Sequence, residues 1–179
     1  MTILFVDVEA VNETDWNAIG AAVFDEDGFT LEAHEWCRPM PRELYDELRV
    51  QFWNNHPAAE HYINTSSRAT IEEIPAVLQA MIARHGVTAI ATDCPSFDIR
   101  MLHGILPSHY LPVICVRTLV NTVKELVNRG VLRAVKPAIA VCSDGSGICH
   151  TPLADVARVA ASYFWARAAM RSSSLFIVK

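Results

Sequence analysis

The feature that most constrains this chain is its opening stretch, MTILFVDVEA, where Asp7 and Glu9 close a run of Ile3, Leu4, Phe5 and Val6. Apolar, β-branched and aromatic residues in a short run read as a buried strand. Residues i and i+2 of a strand project to one face, so the two carboxylates stand together at its end. Two like charges held side by side repel unless a cation lies between them. The stretch therefore predicts a metal site at the end of a buried strand, completed by acids from elsewhere in the chain.

Downstream, AIGAAVFDEDGFTLEAHEWC reads as a hairpin, because two alternating apolar runs flank the turn signal Asp25 to Gly28. Residues 41 to 64 are polar and aromatic and read as short helices broken at Pro57. TIEEIPAVLQAMIARHG places Ile71, Ile74, Leu78, Met81 and Ile82 at helical spacing, with Thr70 and Glu73 as a capping box and Gly86 as the stop. VTAIATD then reads as a strand, FDIRMLHGIL as a helix, LPVICVRT as a strand and LVNTVKELVNRG as a helix ending at Gly130. The stretch around Ser143 to Gly147 is loop-like, and an Ala-rich helix with Pro152 in its first turn follows. Its Leu153, Val156, Val159, Ala160 and Phe164 are expected to face the core. A three-stranded meander followed by alternating helices and strands predicts an α/β fold, a mixed sheet with helices packed on it.

At 179 residues and 51% hydrophobic, the chain suits one domain, expected to span 1–179. A formal charge of -5 argues against broad duplex binding, which demands surplus Lys and Arg, so any nucleic-acid contact should be local. Five widely spaced cysteines, with no secretory pattern ahead of the first strand, suggest a reduced cytoplasmic protein. Cys142, Cys149 and His150 match no zinc module. No apolar run reaches the roughly 20 residues of a membrane span.

Two further acids stand at the ends of elements that can converge on the first strand. Asp98 follows Phe97 in the first turn of a helix, and Asp155 lies on the last helix, five residues after His150. Either alone is as readily a helix-dipole partner as a ligand. Together, in order, FVDVEA, SFDIRML and HTPLADVARVA resemble the three motifs of the DEDDh family of 3′-5′ exonucleases. FWNNHPAAE is similar to a tryptophan-containing insertion of a branch that includes phage exonucleases and small bacterial exoribonucleases, which suggests a phage or bacterial origin. Two departures stand out: Asp93 and Cys94 occupy the place where many members have His-Asn, and Ala10 the place of a usual Thr.

The resemblance implies a ribonuclease H-like mixed five-stranded sheet, a three-strand meander and then parallel strands. It implies hydrolysis of phosphodiester bonds from the 3′ end of single-stranded DNA or RNA. Asp7, Glu9, Asp98 and Asp155 would be the metal ligands, with Asp7 bridging two divalent cations. Four hard oxygen donors suit Mg²⁺ or Mn²⁺ better than zinc. His150, with an ordinary pKa near 6.5, would be the general base. Gly145 and Gly147 would let its loop move, while His34, His56, His61, His85, His103 and His109 lack an acid at motif spacing.

A single-stranded 3′ end is gripped by stacking and small apolar contacts. Ala10 and Val11, after Glu9, are expected to offer backbone N–H groups and a contact to the terminal sugar, and Trp53 and Phe97 to stack. Trp36, Phe52, Trp53 and Trp165 could form a homodimer surface. The alternative is a catalytically silent module of the same fold that binds a nucleic-acid end or a protein; a third is an acidic protein holding only a structural ion. Intact motif residues argue against silence.

Overall fold

The computed structural model describes residues 1–66, 70, 72–106, 111–132 and 150–173. Strand β1 (Thr2–Ala10) pairs antiparallel with β2 (Trp16–Phe24), which pairs antiparallel with β3 (Thr30–Cys37). On its other side β1 runs parallel to β4 (Val87–Thr92), and β4 parallel to β5 (Val113–Cys115). The sheet order is β3-β2-β1-β4-β5, the expected meander followed by parallel strands. Helices α1 (Glu47–Asn55), α2 (Pro57–Thr65), α3 (Glu73–His85), α4 (Pro95–Met101), α5 (Val116–Asn128) and α6 (Pro152–Ser173) surround it. This is the mixed α/β sheet of the ribonuclease H-like fold.

The period of two in β1 divides the core. Leu4, Val6 and Val8 face a cluster with Ile74, Leu78 and Met81 of α3. Ile3 and Phe5 face the opposite cluster, with Val156, Tyr163 and Phe164 of α6. Asp7 and Glu9 continue this second row, so their carboxylates emerge on the face that α6 covers. A third cluster joins Val11 and Ala18 to Tyr45, Trp53 and Ile63, seating α1 and α2 against the end of the sheet beyond Glu9.

Local details depart from the sequence reading at three places. The α3 N-cap is Glu72 and no side chain caps it; Glu73 N–H donates to the Thr70 carbonyl, so no capping box forms. Ile71 lies outside the described residues, whereas Gly86 does terminate α3 in the left-handed region, at φ 58°. Strand β5 ends at Cys115 and α5 begins at Val116, because β4 offers partners only through Thr92. The helix expected from Phe97 starts at Pro95, where the missing N–H costs nothing.

The four aromatics expected at a homodimer surface do not make one exposed face. Trp36 and Trp53 are buried in separate clusters, Phe52 is half-buried against the cluster of Trp53, and Trp165 is half-buried against a further one. Among the described residues no helix is long and apolar enough to cross a membrane. Cys37, Cys94 and Cys115 are free thiols; Cys142 and Cys149 lie outside the described residues.

Candidate metal centre

Three elements bring the four acids together. β1 supplies Asp7 and Glu9; α4, entered directly from the end of β4, supplies Asp98; α6 supplies Asp155. The close seat of α6 depends on Gly20, which pairs with Asp7 across the β1–β2 ladder. A Cβ on Gly20 would lie 2.2 Å from the Pro152 carbonyl oxygen and 2.9 Å from Val156 Cγ2. Only a residue without a side chain lets the first turn of α6 settle here, which carries Asp155 over the acidic end of β1.

The electrostatics are those of a site built for a cation. Burial, then the carboxylates of Asp98 and Asp155, push Asp7 well above the usual carboxylate range, against the pull of Arg158. Burial, Asp7 and Asp155 likewise raise Glu9, opposed by Arg49. Asp98 is pushed up to about 6, chiefly by burial; hydrogen bonds from the Thr92 hydroxyl and from the N–H groups of Cys94 and Val8 hold it down. Glu9, Asp98 and Asp155 are buried and Asp7 is half-buried. Carboxylates raised mainly by burial and by one another lack positive charge, which a divalent ion would supply.

His150 sits at the rim of this group. Its Nδ1 lies 3.4 Å from Asp155 Oδ2, and ligand atoms of Glu9, His150 and Asp155 lie within 4.8 Å of one another. Its backbone is in the left-handed region at φ 63°, which only a few per cent of non-glycine residues adopt and which His enters more readily than most. Such a conformation persists only where surrounding contacts hold it. The His56 ring lies 4.1 Å from the His150 ring and the Phe52 ring 5.2 Å from it, edge-on. His56, one of the histidines set aside for lacking an acid, is thus a neighbour of the site. Burial lowers the His150 pKa; Asp155 opposes the shift, and His56 and Arg158 reinforce it. Gly145 and Gly147 lie outside the described residues.

The residues expected to grip the 3′ end are placed differently. Trp53 is fully buried, and its indole N–H donates to the Ala10 carbonyl at 3.3 Å, so it braces the end of β1 and offers no face for stacking. Ala10 and Val11 are buried; the Val11 N–H donates to the Asp15 carbonyl at 2.9 Å and is not free for a sugar. Phe97 is half-buried, with the Arg49 guanidinium 5.1 Å above its ring.

Arg158 was missed. Its Nε donates to Asp155 Oδ1 at 2.9 Å, and its Nη1 lies 3.7 Å from Asp93, which also accepts from Arg117 at 3.2 and 3.3 Å. The only sequence signal was its position three residues after Asp155 on a helix. Asp93 is therefore the bridge between two arginines.

No family model matches the chain, and no curated protein matches it. Among solved structures, exonuclease I aligns with a TM-score of 0.61 over 96% of this chain at 13% identity. The zinc-ion-bound form of the E. coli ExoI–ssDNA complex aligns at 0.59 over 97% and 14% identity. E. coli exonuclease I in complex with a 5cy-dT13 oligonucleotide aligns at 0.55 over 97%, again at 14%. The chain spans 42% of the length of each of these proteins. The likeness shows that this chain has the fold of an exonuclease I domain.

Proposed function

We propose that the chain is a divalent-metal-dependent 3′-5′ exonuclease that hydrolyses phosphodiester bonds from the 3′ end of single-stranded nucleic acid. The observation that carries this reading is the convergence of Asp7, Glu9, Asp98 and Asp155 on one face of the sheet, with His150 beside Asp155. The fold of exonuclease I supports it as an analogy.

The donor set fits a divalent pair, because four carboxylates face one another and three of them, Asp7, Glu9 and Asp98, are held well above the usual carboxylate range by burial and by their neighbours. Asp7, Glu9, Asp98 and Asp155 would hold two Mg²⁺ or Mn²⁺ ions, which supply Lewis acidity to the phosphoryl oxygens and the departing 3′-oxygen. His150 takes a proton from the attacking water at Nε2. Asp155, facing Nδ1, keeps the hydrogen of the neutral ring on that side and the Nε2 lone pair free. The lowered pKa of His150 favours that neutral ring near pH 7. Phe52 and His56 fix its plane and keep bulk water from one side. Thr92 and the Cys94 N–H orient Asp98.

The test is release of mononucleotides from 5′-labelled DNA and RNA oligonucleotides with Mg²⁺ or Mn²⁺. A ladder shortening from the 3′ end supports the reading, and the matched sugars report the preference. Intact oligonucleotides with every cation overturn it.

A further inference from the structure

We propose that the groove between α5 and α6 is a track for the nucleic-acid strand on the 5′ side of the scissile bond, with Arg117, Lys124 and Arg158 holding phosphates and Trp165 receiving a base. This rests on the nuclease reading above. The groove begins beside the metal centre as a cleft of about 210 Å³ lined by Asp93, Arg117, Asn121, Lys124, Arg158 and Ser162. It continues into a cleft of about 280 Å³ that shares Val120, Lys124 and Ser162 with the first and ends on Trp165. Arg158 joins it to the centre, since the same guanidinium that holds Asp155 lines the cleft.

The placement follows from helical period. On α6, Asp155, Arg158, Ser162 and Trp165 recur at intervals of three and four residues and form one stripe. On α5, Arg117, Asn121 and Lys124 form the facing stripe. Ten residues separate Asp155 from Trp165, about 15 Å along the axis, which is the length of a short stretch of single strand.

Charge complementarity selects the occupant. In a chain of formal charge -5, this cleft gathers three cations; Arg117 and Arg158 share the carboxylate of Asp93, and Arg158 also holds Asp155 at its edge. Arg117, Lys124 and Arg158 are exposed, so their donors reach a backbone phosphate without burying a charge. The further cleft is mostly apolar, lined by Ala161 and the half-buried Trp165. Cations followed by an aromatic face are what a single strand requires, since phosphates are neutralised while a base stacks.

Two substrates separate this proposal from the one it rests on. The p-nitrophenyl ester of thymidine 5′-monophosphate carries one phosphate and reaches only the metal centre, whereas a fluorescein-labelled oligothymidylate of about ten nucleotides covers the groove. Binding of the oligonucleotide is read by anisotropy in an Asp7→Asn background, to prevent turnover, across a salt series. Lys124→Ala should reduce the slope of log affinity against log salt by about 0.7, the value of one phosphate on a single strand. Trp165→Leu should weaken binding about 5- to 100-fold and Trp165→Phe much less, with thermal melts confirming the fold. Without the Asp7 change, Lys124→Ala should hydrolyse the small ester like the wild type. Unchanged slope and affinity in Lys124→Ala and Trp165→Leu overturn the groove. A wild type that cleaves neither substrate overturns the nuclease reading instead.

Discussion

Gly20 and Pro152 meet where strand β2 passes under the first turn of α6, so closely that a methyl group on Gly20 would fall 2.2 Å from the Pro152 carbonyl oxygen. Backbone stands on both sides of the contact, and no flexible side chain can yield. The contact sets the height of α6 above Asp7, the partner of Gly20 in the ladder, and with it the reach of Asp155 and His150.

Gly20→Ala should therefore damage both stability and activity. Overpacking of this kind costs about 1–3 kcal/mol, and each kcal/mol lowers the melting temperature by about 2–4 °C in a chain of this size. Nucleotide release should fall further than the melting temperature accounts for, because Asp155 is displaced. A variant with wild-type turnover would show that the α6 seat is adjustable.

Asp7→Asn should abolish nucleotide release while leaving the metal-free protein as stable as the wild type or more so. It removes a charge that Asp98 and Asp155 oppose. The wild type should gain melting temperature with Mg²⁺ or Mn²⁺ and the variant much less. Equal gains would place the ion elsewhere.

The metal-free protein should lose stability as pH rises from about 4 to 6. Asp98 has an ordinary value of 3.8 and is pushed up to about 6 in the fold. A group raised in this way contributes stability that is complete below its unfolded pKa and lost as pH rises through its folded one. Asp7 and Glu9 act in the same direction. Mg²⁺ should restore the loss at neutral pH; melts across this range with chelator and with Mg²⁺ measure it.

Glu32 should act with the opposite sign and at lower pH. His34, His85 and Arg84 hydrogen-bond its carboxylate at 2.7–2.9 Å and lower its pKa from 4.5 to about 2. Its contribution is present above pH 4.5 and is lost as pH falls toward 2. Glu32→Gln should flatten the acid limb of the stability profile, and this cluster ties β3 to the end of α3 far from the metal centre.

His150→Ala should lower turnover by roughly 10²- to 10⁴-fold, the range for lost acid-base catalysis, while cation-induced stabilisation survives. The wild-type profile should fall on the acid side, below the usual imidazole value, because burial lowers the pKa of the ring. In the variant that limb should disappear. Slower turnover with the limb retained would give His150 an orienting role.

Of the proposed metal ligands, two were legible because they belong to a local period. Asp7 and Glu9 follow from the alternation of β1, and Gly86 from the need for a left-handed stop to α3. The three-strand meander and the mixed character of the sheet followed from the hairpin turn and the alternating segments, while the order β3-β2-β1-β4-β5 is set by how β4 docks beside β1. Trp53 misled because a tryptophan in a polar segment looks exposed; its burial depends on Val11, Ala18 and Ile63, which reach it only through the packing of α1 and α2 on the sheet. Val11 looked like a free donor because its acceptor, the Asp15 carbonyl, is created by the turn into β2. His56 lies 94 positions before His150 and meets it only after the sheet has brought α1, α2 and the start of α6 to the same end. Short-range order in the sequence determined which groups carry charge and which way they point from their own element. Distances between elements, and therefore which groups become neighbours, shift proton affinity and hold one another in place, were decided by tertiary packing, because burial and Coulomb energy depend on separations that residue spacing does not encode.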